Sequence, residues 1–257
     1  MLDAIIKIVQ EAGKIVLEVS CSGNLDIQIK DDRSPVTRAD LASDRFILQS
    51  LQKSIHIPAV SEETEIEYEE RKMWDELFMI DPLDGTKDFI NGSNEFTINI
   101  ALIRKREPVM GVIYAPAIGE LFYGEKGRGA FMLRNGEKIL LPEKTSKQLI
   151  MARSRHHDNE MMDRFAKANS ITQIKKMSSA IRLSRLAQGD VNLCPWYTRS
   201  KEWDTAPGHI ILKETGGQIL DLITNKEPEY NKPNLKNNHF IACARGVDIQ
   251  SLNVDLA

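Results

Sequence analysis

The feature that most constrains this chain is the point where its apolar run at 77–80 stops. In "ELFMIDPLDGTKDF" (76–89), Leu77 to Ile80 lead directly into Asp81 and Asp84, followed by Gly85 and Thr86. A short apolar run bounded by turn signals reads as a buried strand, so its terminal acids are carried inwards. Pro82 removes a backbone donor and stiffens the exit from the strand. Gly85 permits the positive φ of a tight turn, which leaves the N–H groups of Gly85 and Thr86 able to point at an anion. Two carboxylates gathered beside bare donors repel each other unless a cation joins them. A phosphate bridged to the acids by Mg²⁺ satisfies both ends, because magnesium takes a few carboxylates together with phosphate oxygens and water.

Acids recur at two other changes of secondary structure. Glu62-Glu63 follow the strand-like "IPAVS", and Asp204 opens a helix in "WDTAPGHIILKETGG". Each has a plainer reading. Asp204 can cap its helix, and Glu62-Glu63 can open a solvated loop. Thr37 and Asp40 have the spacing of a capping box, with Asp in place of Glu. Competing motifs fail on spacing. An EF-hand loop needs an oxygen ligand at its third position, where this chain has Leu83. Phosphatases with an aspartyl nucleophile place a second Asp two residues later, so the first would fall at Pro82. There is no GxxxxGK[ST]; "GEKGRG" (124–129) reads as a turn between strands. His156-His157 lack an HExxH context and read as a surface loop, with a role beside the site or at the substrate as the sharper alternative, and His209 reads as a helix residue that is packed or solvated. Ser178-Ser179 read as a helix cap, with phosphate or sugar contact as the sharper alternative.

Around these acids the elements change in character along the chain. Residues 2–16 place Leu2, Ile5, Ile6, Val9, Ala12 and Val16 near one helical face. A second helix runs through "TRADLASDRFILQSLQ", and "EIEYEERK" reads as an exposed charged loop. "EFTINIALI" reads as a strand with a second, partly polar face. "PVMGVIYAP", "GELFYGE" and "GAFMLRNGEKIL" continue as strands, with a hairpin at Asn135-Gly136. The basic cluster at 104–106 reads as a solvated turn. After the break at "PEKTSKQ", short strands alternate with helices, and Gly216-Gly217 close the last of these helices. We therefore expect an α+β half over residues 1–145 and an α/β half over 146–257.

The 257 residues are 42% hydrophobic and 28% charged with a net charge of −3, ordinary values for a globular domain. Nothing in that balance calls for nucleic acid or a membrane surface as partner. The N-terminal stretch has no signal-peptide pattern, and no run approaches the roughly 20 apolar residues of a transmembrane helix. Cys21, Cys194 and Cys243 are scattered, which argues against a zinc site and for a reducing, cytoplasmic setting.

Taken in order, "SPVTRAD", "SEET", "DPLDGTKDFI" and "WDTAPG" resemble the magnesium-dependent, lithium-sensitive phosphatase superfamily of the inositol monophosphatases. "EFTINIALI", "GVIYAPAIGELFYGEKGRGAF", "EWDTA" and Lys87 after the threonine look most like its CysQ-type 3′(2′),5′-bisphosphate nucleotidases. Asp88 stands where a Glu is usual and Pro207 where a small residue is, and "SSAIRL" lacks a lysine associated with the nucleotidases. The resemblance implies an α/β fold, a layered αβαβα sandwich of the sugar/inositol phosphatase type. It implies two or three Mg²⁺ held by Glu62, Asp81, the Leu83 carbonyl, Asp84 and Asp204. Phosphate oxygens would rest on Gly85 and Thr86, with Lys87, Ser178, Ser179 and Asp204 contacting substrate. Asp40, Thr86 and Glu62 would orient and deprotonate a water activated by metal. The implied reaction converts 3′-phosphoadenosine 5′-phosphate to AMP and phosphate. Inositol monophosphate and a fructose-1,6-bisphosphatase-like sugar substrate are the alternatives, and a catalytically silent regulator that binds metal and phosphate is the rival from another class. The active form would be a monomer or homodimer.

Overall fold

Helix α1 (Leu2–Ser22) buries Ile5, Val9, Ala12 and Val16, the face set by their spacing, and ends at Gly23. The chain then forms β1 (Gln28–Ile29), β2 (Pro35–Val36), α2 (Arg38–Ser54), β3 (Ala59–Ser61), α3 (Tyr68–Arg71), β4 (Glu76–Asp84) and α4 (Thr86–Ile90). A meander follows: β5 (Thr97–Arg104), β6 (Glu107–Ala115), β7 (Glu120–Glu125), β8 (Gly129–Arg134) and β9 (Glu137–Leu140). Next come β10 (Ile150–Ser154), α5 (Glu160–Ala168), β11 (Gln173–Met177), α6 (Ile181–Gln188), β12 (Leu193–Trp196) and α7 (Glu202–Glu214). Strands β13 (Gln218–Asp221) and β14 (Phe240–Cys243) complete the second sheet. This computed structural model describes residues 1–146, 148–156, 159–178, 180–198 and 200–254.

Strands β3 to β9 form a seven-stranded sheet in sequence order, antiparallel except for the β3–β4 pair. The second sheet has the order β11-β10-β12-β14-β13, with β10 parallel to both its neighbours. Helices α1 and α2 cover one face of the larger sheet, where Ile5, Val9 and Ile47 meet Phe78, Ile80, Ile98 and Ile100. Helices α6 and α7 fill the space between the sheets. There Leu183, Leu186, Ile211 and Leu212 meet Ile113 and Phe122 on one side and Trp196 and Ala242 on the other. Helix α5 closes the far face, with Met162 and Phe165 against Met151, Leu193 and Ile241. The layers run αβαβα, the sandwich expected. Each fully buried Leu, Ile or Phe contributes about 1.5–3 kcal/mol relative to exposure, so the middle layer is fixed by apolar contact on both sides.

The partly polar second face of β5 is buried too: Thr97, Asn99, Ala101 and Ile103 are as buried as Ile98 and Ile100, because α7 covers the side opposite α1 and α2. Two local readings are corrected. The charged stretch after Glu63 contains α3, and its Arg71 is buried. Strand β4 does not stop at Ile80 but continues through Pro82 to Asp84, with a register shift between Asp81 and Asp84. Proline supplies no ladder donor, which suits it to such an irregularity.

The height of α7 over the larger sheet is set at Gly111. A Cβ there would lie 2.4 Å from the Pro207 carbonyl oxygen, so only glycine lets the helix rest on β6. Asp204 lies about one turn before Pro207 on the same helix. Among the described residues, no helix is long and apolar enough to cross a membrane.

Candidate active site

Three segments deliver four acids to one place. Strand β4 carries Asp81, 1% exposed, and Asp84; the segment after β3 carries Glu62; α7 carries Asp204 in its first turn. Glu62, Asp81 and Asp204 each offer an oxygen within 4.8 Å of the others. In each acid one oxygen is pinned. Asp81 Oδ1 accepts the Leu83 N–H (3.0 Å), Asp84 Oδ2 the Ala180 N–H (2.6 Å) and Asp204 Oδ2 the Lys201 N–H (2.8 Å). Glu62 Oε1 accepts from the Lys30 ammonium at 3.0 Å. Helix α2 braces the segments that carry them: Ser43 donates to the Pro82 carbonyl (2.8 Å), and Asp44 accepts from Ser61 (2.5 Å) and Thr64 (3.0 Å).

Such crowding has an electrostatic cost that shows in the acids. Burial first, then repulsion from Glu62, Asp84 and Asp204, raises the Asp81 carboxyl well above the usual carboxylate range. Asp204 is likewise raised well above it, by burial and then by Asp84 and Glu62. Both shifts mean that the cluster requires protons or a cation. The donors are all hard oxygens, the ligand type that suits magnesium rather than a softer metal.

Two cations flank the acids, and neither was singled out from the sequence. Lys30 pairs with Glu62 and also with Glu63 at 2.6 Å. Burial opposes its charge, but these two acids hold the ammonium above the ordinary lysine range. Burial pushes the Glu63 carboxyl up to about 7 despite that pairing. Arg182, 3% exposed, stacks its guanidinium over Trp196 at 3.6 Å from the ring centroid. Burial lowers its pKa, while Cys194 and then Asp84 and Asp204 favour its charge. An Arg in the first turn of a helix, beside the apolar Ile181, Leu183, Leu186 and Ala187, was the available signal.

Beside the cluster, Asp40 and Thr86 meet. The Thr86 hydroxyl donates to Asp40 Oδ1 (3.0 Å) and approaches the Leu83 carbonyl (3.2 Å). Asp40 also completes the capping box with Thr37. Burial raises its pKa, opposed by the bonds from Thr37 and Thr86. Gly85 holds the turn between them at φ 88°, where a Cβ would meet Ser178 Oγ at 3.0 Å and the Glu95 carbonyl at 3.2 Å. Both the conformation and the space demand glycine.

A second polar network ties this turn to the smaller sheet. The Ser178 hydroxyl donates to Asp88 Oδ2 and its N–H to Glu95 Oε2, each at 2.9 Å. Arg155 donates to the same Glu95 oxygen (2.6 Å), and His156 Nε2 lies 3.1 Å from Asp88 Oδ1. His156 thus engages Asp88 beside the site, the sharper of the two readings open to it from the sequence. Lys87 is exposed in α4. Ser179 and His157 lie outside the described residues. His209 is packed rather than solvated, between Tyr230 (2.8 Å) and Glu227 (3.2 Å).

Against known proteins, a profile described as the inositol monophosphatase family matches residues 1–252. The 3′(2′),5′-bisphosphate nucleotidase CysQ of Salmonella typhimurium is 32% identical over 223 residues, covering 86% of this chain and 90% of that protein. The crystal structure of CysQ from Bacteroides thetaiotaomicron superposes with a TM-score of 0.86 at 31% identity, covering 95% of this chain and 97% of that one. An IMPase of Thermotoga maritima superposes with a TM-score of 0.77 at 28% identity over 94% and 91% of the two chains.

Proposed function

The chain belongs to the inositol monophosphatase family, and from that premise we propose that it is a Mg²⁺-dependent, lithium-sensitive 3′(2′),5′-bisphosphate nucleotidase acting on 3′-phosphoadenosine 5′-phosphate. The observation that carries the chemistry is the meeting of Glu62, Asp81 and Asp204 within 4.8 Å, next to a hydroxyl–carboxylate pair. The choice of substrate rests on the CysQ relatives, which are similar along most of their length.

In this reading Glu62, Asp81, Asp84, Asp204 and the Leu83 carbonyl hold the magnesium. Bound there, the metal supplies Lewis acidity, easing ionisation of water and offsetting charge on the phosphoryl group. The protein's own groups do the rest. The N–H groups of Gly85 and Thr86, in the turn at the start of α4, hold phosphate oxygens. Thr86 Oγ1 accepts a proton from the attacking water while its own proton is directed to Asp40 Oδ1. The buried setting of Asp40 makes it a stronger base than an exposed Asp. A bond forms from the water oxygen to phosphorus, the bond to the 3′ oxygen breaks, and that oxygen takes up a proton as AMP leaves. The test is phosphate release measured side by side on 3′-phosphoadenosine 5′-phosphate, inositol 1-phosphate and fructose 1,6-bisphosphate. Preference for the first supports the reading, and preference for either other substrate moves the chain to that chemistry.

A further inference from the structure

Glu62 and Asp204 reach the cluster from segments far apart in sequence, and the loop between β13 and β14 joins those segments. Two buried polar side chains, Arg71 and Glu202, grip it, and its own buried Asn231 grips back. Arg71, 2% exposed, donates to Asn231 Oδ1 (2.7 Å), to the Lys232 carbonyl (2.8 Å) and to the Pro233 carbonyl (3.1 Å). Asn231 Nδ2 donates back to the Arg71 carbonyl at 3.0 Å. From the other side Glu202, fully buried in the first turn of α7, accepts the N–H groups of Asn231 (2.5 Å) and Lys232 (3.2 Å). It also pairs with the Lys232 ammonium at 2.8 Å. The Glu202 N–H donates to the Leu235 carbonyl (2.8 Å), and Asn237 reaches the Lys201 carbonyl (2.6 Å) and Thr205 Oγ1 (2.9 Å).

A line of contacts thus runs from the segment after Glu62 through α3 to Arg71, across the loop at Asn231, and into α7 at Glu202, two residues before Asp204. Filling this space with apolar side chains would serve stability as well, because buried ionic groups carry a desolvation penalty that such replacements avoid. What polar contacts add is direction: each fixes one atom against another. Asn231 is held at φ 60° to make them, a conformation that few residues other than glycine adopt.

We propose that Arg71, Asn231 and Glu202 are positioning residues that set the separation of Glu62 and Asp204, and thereby the affinity of the acid cluster for a divalent cation. This rests on the metal-dependent reading above. Partners that orient metal ligands typically change affinity about 10–100-fold when removed. The test is calorimetric titration of Mg²⁺ into metal-free protein, unaltered and as Asn231→Ala and Glu202→Gln, with melting temperatures recorded for each. Val9→Ala, a buried site on α1 in the core beneath the other face of the larger sheet, serves as a control for lost stability alone. The Asn231 and Glu202 variants should both bind Mg²⁺ about 10–100-fold more weakly, with Val9→Ala unchanged in affinity. If Asn231→Ala does not fold, Arg71→Lys takes its place, since lysine keeps the charge and loses the planar fork. Loop variants that melt lower yet bind Mg²⁺ like the unaltered protein would overturn the inference and leave the functional reading intact. Failure of the unaltered protein to bind Mg²⁺ would overturn both.

Discussion

Asp40 and Thr86 are joined by one hydrogen bond across 46 residues, from the Thr86 hydroxyl to Asp40 Oδ1 at 3.0 Å. The other oxygen of the same carboxylate, Oδ2, accepts both the N–H (2.7 Å) and the hydroxyl (2.5 Å) of Thr37. Capping α2 and meeting Thr86 are therefore two jobs of one side chain, one on each oxygen.

That division separates two variants. Thr86→Ala should lower kcat by about 10²–10⁴, the range for a positioned general base, and leave the melting temperature nearly unchanged. Asp40→Asn should lower kcat similarly and also cost about 0.5–2 kcal/mol of stability through the weakened cap. The double variant should be hardly slower than either single, since groups acting as one unit are not additive. Steady-state kinetics with thermal melts checks this, and additive rate losses would break the pair apart.

Gly85→Ala should damage both fold and catalysis. The residue sits at φ 88° with Ser178 and the Glu95 carbonyl against the missing Cβ, so strain of about 1–3 kcal/mol is expected. Urea unfolding should show that loss, and phosphate should inhibit the variant more weakly. A variant of unchanged stability would mean that the turn tolerates a side chain.

Stability of the metal-free protein should fall as pH rises. Burial, then Glu62, raises Asp81, and burial, then Asp84, raises Asp204. Acids raised in the folded state hold protons there that the unfolded chain releases above about pH 4. Their contribution is present below that pH and is lost progressively as pH rises through the higher folded values. With chelator present, the melting temperature should therefore decline from about pH 5 to pH 8, and less steeply in Asp81→Asn. Added Mg²⁺ should restore more stability at the higher pH, because its ligands bind as anions. Equal pH slopes for both proteins would contradict the shifts.

Much of this was legible in the sequence because it was local. The spacing of Ile5, Val9, Ala12 and Val16 marked α1, Thr37 with Asp40 marked the cap of α2, and the run into Asp81 marked a buried strand. Missing were features decided by chain far away. The alternation in β5 revealed one apolar face, but not that α7 covers the other. Arg71 looked solvated among glutamates, yet its partner Asn231 lies 160 residues away. Lys30 and Arg182 acquire meaning only once folding brings the acids to them.

Substrate preference should favour the nucleotide. The kcat/KM for 3′-phosphoadenosine 5′-phosphate should exceed that for inositol 1-phosphate by about tenfold or more, roughly 1.4 kcal/mol of transition-state binding. Lithium should inhibit at millimolar levels or below. Parity between substrates would point to the inositol chemistry, and insensitivity to lithium would count against the family's metal chemistry in this chain.

The central claim is that the acid cluster turns bound magnesium into phosphatase activity. Its most direct test is phosphate release from 3′-phosphoadenosine 5′-phosphate, titrated with Mg²⁺ after chelator treatment, for the unaltered protein, Asp84→Asn and Asp204→Asn. The account predicts no release without metal, saturating release with it, and near-complete loss in both variants while each still melts cooperatively. Loss of the Asp204 cap alone, worth about 0.5–2 kcal/mol, would not abolish activity. Hydrolysis that persists without metal, or an Asp204→Asn protein of near-normal activity, would contradict it and leave Asp204 as a helix cap.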